Sequence, residues 1–290
     1  MQLLPTVNSD FWVNLWQEAR QNSPMRRRRC RTEQEMIERW NRRAKEFAQF
    51  AKKDKGQKRQ QRVLDFLEQE DALKKGFKVL DIGSGPGNYA IPMARIASNV
   101  TALEPASEMI KILQERAADE HLENISVIQR TWQEIDVEAD GLAGQFDLVF
   151  ASMTPGVQDP ETLEKMIKAS RGYCYLSGFS GRRWGNAYRE IWQQFFNEDL
   201  GDNPGDIIYP FGVLYSMGYR PNLRFTTHEH LHEQPVEEAI ENILKFFENH
   251  MDISTGARKT IEEYVSKHSE NGTFRQQVKG CSGMMLWKVN

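Results

Sequence analysis

The sequence predicts an α/β fold: an open, mostly parallel sheet with helices on its faces and helical additions at both ends. Three observations carry that expectation. Residues 78–88 read Lys-Val-Leu-Asp-Ile-Gly-Ser-Gly-Pro-Gly-Asn, a short apolar strand running into a loop with glycine at every second position. Further short apolar runs follow and alternate with helix-compatible stretches. The 290 residues are 39% hydrophobic and 27% charged, which suits one large globular domain with additions rather than two full domains.

In chain order, the stretch before the first strand reads as helical. Phe11, Trp12, Leu15, Trp16 and Ala19 share one helix face. Arg26 to Arg29 and Arg31 then form a basic cluster. It has no interleaved aromatic residue, and Glu33, Glu35 and Glu38 follow at once. A solvated linker with arginine–glutamate pairs is expected, and an RNA-binding arm is the other reading. A second helix begins at Thr32, where Thr32-Glu33-Gln34-Glu35 makes a capping box. Met36, Trp40, Ala44, Phe47 and Ala51 give it an apolar stripe. A third helix, near Lys58 to Leu73, leads to the first strand.

Val79, Leu80 and Ile82 are that strand's apolar residues, and Asp81 is an acid near its carboxyl end. Gly83, Gly85 and Gly87 allow a sharp turn and let the backbone touch a ligand. Tyr89 to Ala97 is helix-compatible. A strand, a glycine loop and a helix together suit an adenosine-containing cofactor. A dinucleotide fingerprint places glycines at the first, third and sixth loop positions. Counted from Gly83, the sixth position here is Asn88, so the third glycine falls one residue early.

Asn99 to Leu103 is the second strand, ending in Glu104, which is placed to accept hydrogen bonds from both ribose hydroxyls. Ile125 to Gln129 and Phe146 to Ala151 are the third and fourth strands. A helix follows from Asp159-Pro160-Glu161 to about Ser170, with Pro160 at its first position. Gly172 to Phe179 is the fifth strand. Trp184, Ala187, Tyr188, Ile191, Trp192, Phe195 and Phe196 then lie on one broad helix face, and Tyr209 to Met217 is another helix. Leu223 to Leu231 alternates as the sixth strand. Two amphipathic helices, Val236 to His250 and Ala257 to His268, precede the seventh strand, Gly283 to Val289.

The acid-x-Gly-x-Gly-x-Gly pattern at Asp81, Gly83, Gly85 and Gly87 resembles the first motif of class I S-adenosylmethionine-dependent methyltransferases. Pro105-Ala106-Ser107-Glu108-Met109-Ile110 resembles the segment that lies against the adenine in that family. Trp40, Ala44 and Phe47 match the Trp-x-x-x-Ala-x-x-Tyr/Phe lead-in of many small-molecule methyltransferases, which packs over the cofactor as a lid. A core-packing helix is the alternative. The resemblance is specific across about residues 40 to 180. It implies a Rossmann-like seven-stranded methyltransferase sheet, mostly parallel, with the last strand antiparallel between the fifth and sixth. It divides the chain into an N-terminal helical lid, residues 1–57, and a methyltransferase domain, residues 58–290. Helical insertions fall at about 181–218 and 235–270.

The resemblance further implies that the protein is an enzyme. Its cofactor would be S-adenosyl-L-methionine, released as S-adenosyl-L-homocysteine. The residues that would hold it are Asp81, Gly83, Ser84, Gly85, Gly87, Asn88, Glu104, Pro105, Met109, Thr131, Trp132, Ser152, Met153 and Trp40. Three departures stand out. Thr131 occupies the place where the family usually has an Asp for the adenine amino group. The histidine that follows the fourth strand in the ubiquinone/menaquinone-biosynthesis type, the nearest general resemblance, is absent. Ser152-Met153-Thr154-Pro155 replaces the Asn/Asp-Pro-Pro-Tyr/Phe of enzymes that methylate amino groups of bases or glutamine. A small-molecule acceptor, methylated by direct displacement, is expected. An RNA or protein methyltransferase using Arg26 to Arg31, and a non-catalytic cofactor-binding protein, are the alternatives. The candidate base is Asp159.

The net charge of −3 gives no global attraction to nucleic acid or anionic membrane. Cys30, Cys174 and Cys281 are far apart and lack metal-ligand spacing, so free thiols in a reducing cytoplasm are expected. No signal peptide and no membrane-spanning run is read. His228, His230 and His232 point to one strand face, beside Glu229 and Glu233. Same-face strand positions lie roughly 6–7 Å apart, so three such imidazoles cannot meet at one ion with bonds near 2 Å. An exposed edge strand is expected there, and no metal. Asp147 reads as closing a local hydrogen bond. Ser177 lacks a nucleophile-elbow context.

Overall fold

A computed structural model describes residues 8–29, 31–181 and 184–289. Four helices precede the sheet: α1 (Ser9–Gln21), α2 (Pro24–Arg27), α3 (Glu33–Lys52) and α4 (Asp54–Gln69). The capping box of α3 is complete. Thr32 Oγ1 accepts the Glu35 amide at 3.2 Å, and the Glu35 carboxylate accepts the Thr32 amide at 2.7 Å. The basic cluster contains the short α2, which no periodicity marked. Arg27 and Arg28 both pair with Glu198, and Arg31 donates to the Glu248 carbonyl at 3.1 Å. Cys30 lies outside the described residues; Cys174 and Cys281 are free thiols. α4 starts ahead of the expected Lys58. It stops at Gln69 because Asp71 takes φ +56°, and the Asp71 and Ala72 amides turn back onto the Glu68 and Leu67 carbonyls.

The sheet comprises β1 (Lys78–Ile82), β2 (Asn99–Leu103), β3 (Ile125–Ile128), β4 (Phe146–Ser152), β5 (Ser170–Ser180), β6 (Asn222–Pro235) and β8 (Thr273–Lys288), with the two-residue β7 (Ser269–Glu270) against β8. Its order is β3-β2-β1-β4-β5-β8-β6. The first five strands are parallel, and β8 runs antiparallel between β5 and β6, as expected. The helices α5 (Ala90–Ala94), α6 (Ser107–Asp119), α7 (Pro160–Ala169), α8 (Asn186–Phe196), α9 (Ile208–Ser216), α10 (Val236–Phe247) and α11 (Thr255–Lys267) complete the fold.

Strand alternation divides the core between the two faces. Leu80, Ile82, Val149 and Leu176 pack with Trp16, Leu163 and Leu214 on one side. Val79, Val100, Leu148, Phe150 and Tyr175 pack with Val63, Leu67 and Met93 on the other. A third core, built from Ile191, Trp192, Ile243, Phe247, Ile261 and Val265, joins α8, α10 and α11. α1 closes on α9 at Gly212, where an added Cβ would stand 2.2 Å from the Trp12 ring.

β6 and β8 are both longer than the sequence predicts. The added length pairs along both strands, with Glu233 opposite Arg275 and the expected strand residue Glu229 opposite Lys279 of the longer β8. These pairs are salt-bridged at 2.6 and 2.9 Å. Polar residues line both faces, so no hydrophobic alternation marked the extension. β6 is the sheet edge, and the rings of His228, His230 and His232 are spaced by 5.9 and 6.3 Å. No metal-ligating group occurs among the described residues. Asp147 closes local bonds, accepting the Lys78 amide at 2.8 Å and Arg171 Nε at 2.8 Å. Among the described residues no helix is long and apolar enough to cross a membrane.

Candidate active site

The carboxyl ends of β1, β2 and β4 open onto a cavity of about 650 Å³. The glycine loop forms its floor. Gly83 takes φ +70° and lies so close to the β4 exit that an added Cβ would stand 2.1 Å from Thr154 Oγ1. Gly85 takes φ +54° and lines the cavity, where an added Cβ would meet no protein atom within 4 Å. Backbone in this conformation strongly favours glycine. Asn88 ties the loop to its roof. Its Nδ2 donates to the Phe47 carbonyl at 3.3 Å, its carbonyl accepts Gln60, and its Oδ1 accepts Arg116 at 2.9 Å.

Glu104, at the end of β2, is buried. Its two oxygens accept different amides, Gly85 at 2.9 Å and Ala106 at 3.0 Å. Burial raises its pKa, and the two amides offset part of that rise. Asp81, 2% exposed, lies beneath the loop with one carboxylate oxygen unpartnered. Burial first, and then the Glu104 charge, push it up to about 8 against the Ala90 amide that donates to it. The Ser84 hydroxyl is also buried without a partner. Two carboxylates and a hydroxyl around a glycine loop call for a ligand rich in hydroxyl and ammonium donors.

Most of the sequence-predicted residues converge here. Gly83, Ser84, Gly85, Asn88, Glu104, Pro105, Met109, Thr131, Trp132, Ser152, Met153 and Trp40 all line the cavity. Asp81 and Gly87 support it from behind, Gly87 at φ +80° against Leu113 and Ile91. The Thr131 hydroxyl and amide both donate to Glu134, at 2.9 and 2.7 Å, and Trp132 Nε1 donates to the Thr162 carbonyl at 3.0 Å. Met153 holds φ +54° at the β4 exit, a backbone state uncommon for a side-chain-bearing residue. Trp40 and Phe47 meet edge to face at 5.4 Å, and both line the wall while α3 packs on Met109 through Ala44.

Asp159 is placed elsewhere. It caps α7, accepting the Thr162 amide at 3.0 Å, and pairs with Arg20 at 3.5 Å. It is not part of the cavity wall, which its neighbour Gln158 reaches instead. Sequence reasoning missed Arg59, Gln60 and Tyr89, which α4 and the start of α5 bring to the wall. The Tyr89 hydroxyl faces Ser152 and Arg59, and burial raises its pKa above the usual tyrosine range. No local motif marks Arg59 and Gln60, and only their half-buried helix face could have signalled them.

This fold and site resemble those of a class I S-adenosylmethionine-dependent methyltransferase domain, and the matches to known proteins agree. Residues 79–174 match the family described as "Methyltransferase domain". The ubiquinone biosynthesis O-methyltransferase of Caulobacter sp. (strain K31) is 29% identical over 171 residues, covering 49% of this chain and 64% of that protein. A mitochondrial ribosomal RNA small subunit methyltransferase of Arabidopsis thaliana is 27% identical over 149 residues, 50% of this chain and 33% of that protein. The chain thus spans less than two thirds of the length of these curated relatives. The solved YcgJ protein of Bacillus subtilis shares the fold, with a TM-score of 0.53 at 10% identity over 79% of this chain and 98% of that one.

Proposed function

We propose that the protein transfers a methyl group from S-adenosylmethionine to a small-molecule acceptor by direct displacement. The observation that carries this reading is the buried Glu104 carboxylate. It is anchored by the Gly85 and Ala106 amides at the wall of the 650 Å³ cavity, beside the unpartnered Asp81 oxygen and Ser84 hydroxyl. When bound, S-adenosylmethionine supplies a methyl group already activated on a sulfonium. The protein then has to hold, orient and keep dry.

Glu104 has free lone pairs for the two ribose hydroxyls. Asp81 and Ser84 offer the acceptors that an ammonium and a further hydrogen bond require. Pro105 and Met109 present an apolar wall to the adenine, with Thr131 at its edge. Trp40 and Phe47 cover the cavity from α3, and residues 1–57 act as a helical lid on the domain of residues 58–290. Alignment of donor and acceptor can supply roughly 7–11 kcal/mol of barrier reduction. Asp159 is engaged in capping α7, so any proton removal falls to another group or to an acceptor that is already a good nucleophile. The free thiols support a reducing, cytoplasmic setting.

The test is turnover. Purified protein with methyl-labelled S-adenosylmethionine should release S-adenosylhomocysteine with some member of a panel of phenols, amines, thiols and carbon acids. A second reading, an RNA acceptor, is favoured by one observation. Residues 20–62 hold sixteen Lys and Arg against five Asp and Glu, beside a cavity that Arg29 and Arg31 help to line. Transfer of label to RNA but to no metabolite would favour that reading.

A further inference from the structure

The strand order makes the cavity floor a ruler. Thr131 follows β3, Glu104 follows β2, the glycine loop follows β1, Ser152 ends β4, and Ser177 pairs with Ser152 from within β5, just behind the wall. Neighbouring strands are roughly 4.8 Å apart, so Ser152 on β4 stands about 10 Å, and Ser177 on β5 about 14 Å, from the ribose end. A polar group has collected at this far end. Ser152 Oγ and Ser177 Oγ are 3.0 Å apart. The Tyr89 ring leans on Phe150 at 5.0 Å and turns its hydroxyl to Ser152 and Arg59. The fully buried Tyr175 hydroxyl, on the same side, lacks a well-formed hydrogen bond.

Arg59 is the cation of this group. Arg20, Arg28, Arg31 and Arg43 each pair with a carboxylate. Among the described residues Arg59 forms no ion pair within 4.0 Å, although it lines the cavity and is half-buried. A planar guanidinium beside a tyrosine hydroxyl that also faces Ser152 is a receptor for a carboxylate or phosphate. Arg29 and Arg31 line the same cavity, as does Glu33, and Arg31 pairs with Glu35 at 3.8 Å. The cofactor carries a single carboxylate, which leaves arginines for a second anion. We propose that the methyl acceptor is itself anionic, and that Arg59, with Tyr89 and Ser152, holds its carboxylate or phosphate. This rests on the methyltransferase reading above.

The experiment separates the two. Calorimetry of S-adenosylhomocysteine with the unaltered chain tests the methyltransferase reading alone. The inference is tested on protein loaded with S-adenosylhomocysteine and titrated with matched pairs, 4-hydroxybenzoate against 4-hydroxybenzyl alcohol and glycerol 3-phosphate against glycerol. At least one anionic member should bind roughly tenfold or more tighter than its neutral partner. That preference should vanish in Arg59→Gln and survive in part in Arg59→Lys, with S-adenosylhomocysteine affinity in both variants within about twofold of the original. Thermal melts with S-adenosylhomocysteine show whether each variant is folded, and Arg59→Lys serves if Arg59→Gln is not. No anionic preference in any pair overturns the proposal. So does a tenfold loss of S-adenosylhomocysteine affinity in Arg59→Gln with unchanged binding of 5′-methylthioadenosine, which lacks the carboxylate. That result would give Arg59 to the cofactor.

Discussion

Replacing Glu104 by Gln keeps the side chain's shape and removes its charge. In the intact chain each carboxylate oxygen serves a different amide, Gly85 at 2.9 Å and Ala106 at 3.0 Å. A glutamine offers one carbonyl oxygen and one NH₂, so one of those amides is left facing a donor. A buried amide without its acceptor costs roughly 1–3 kcal/mol of stability. Hydrogen bonds to a charged acceptor contribute about 1.5–3 kcal/mol, so S-adenosylhomocysteine affinity should fall roughly 10- to 150-fold. Calorimetric titration measures the second effect and urea denaturation the first. Repeating the titration with a 2′-deoxyribose analogue closes a double-mutant cycle, in which the variant should lose less affinity for the analogue than for the parent. A folded Glu104→Gln protein whose dissociation constant moves less than twofold would refute the ribose assignment.

Three further outcomes are expected. Asp81 is pushed up to about 8 from an unfolded value of 3.8, so the folded chain holds the extra proton between those values and stability falls as pH rises through that window. Asp81→Asn removes that dependence, and its stability relative to the original chain, read by urea denaturation, should be more favourable at pH 9 than at pH 5; an equal difference at both would contradict the buried carboxyl. Gly212→Ala drives a methyl into the Trp12 ring, 2.2 Å away, and should destabilise the α1–α9 contact by about 1–3 kcal/mol, visible as a lowered melting temperature. Bound S-adenosylhomocysteine should slow trypsin cleavage of the α3 helix that carries Trp40 and Phe47, with the first cuts in Arg26 to Arg31; identical digestion with and without ligand would leave α3 as a core-packing helix rather than a lid.

Local chemistry made some of this structure legible in the sequence. The glycine loop and the Thr32 capping box depend on residues within a few positions of one another. Their partners were therefore visible before folding. The parallel order followed from the resemblance that the loop carries. Features that depend on distant neighbours stayed hidden. Arg59 and Tyr89 are 30 positions apart, and nothing local says that α4 and α5 bring them to the same wall. Asp159 read as a candidate base from its place after β4, yet the Asp159-Pro160-Glu161-Thr162 turn uses its carboxylate as a cap. The β6–β8 extension is held by cross-strand ion pairs rather than an apolar face, so hydrophobic periodicity passed over it.

The most direct measurement is a paired calorimetric titration of the purified chain with S-adenosylhomocysteine and with NAD. Asp81, Gly83, Gly85 and Gly87 have the spacing of the first cofactor, and Glu104 and the cavity suit its ribose. Saturable one-to-one binding of S-adenosylhomocysteine is expected, with no heat from NAD at the same concentrations. Tight binding of NAD with none of S-adenosylhomocysteine would contradict the assignment of this cavity.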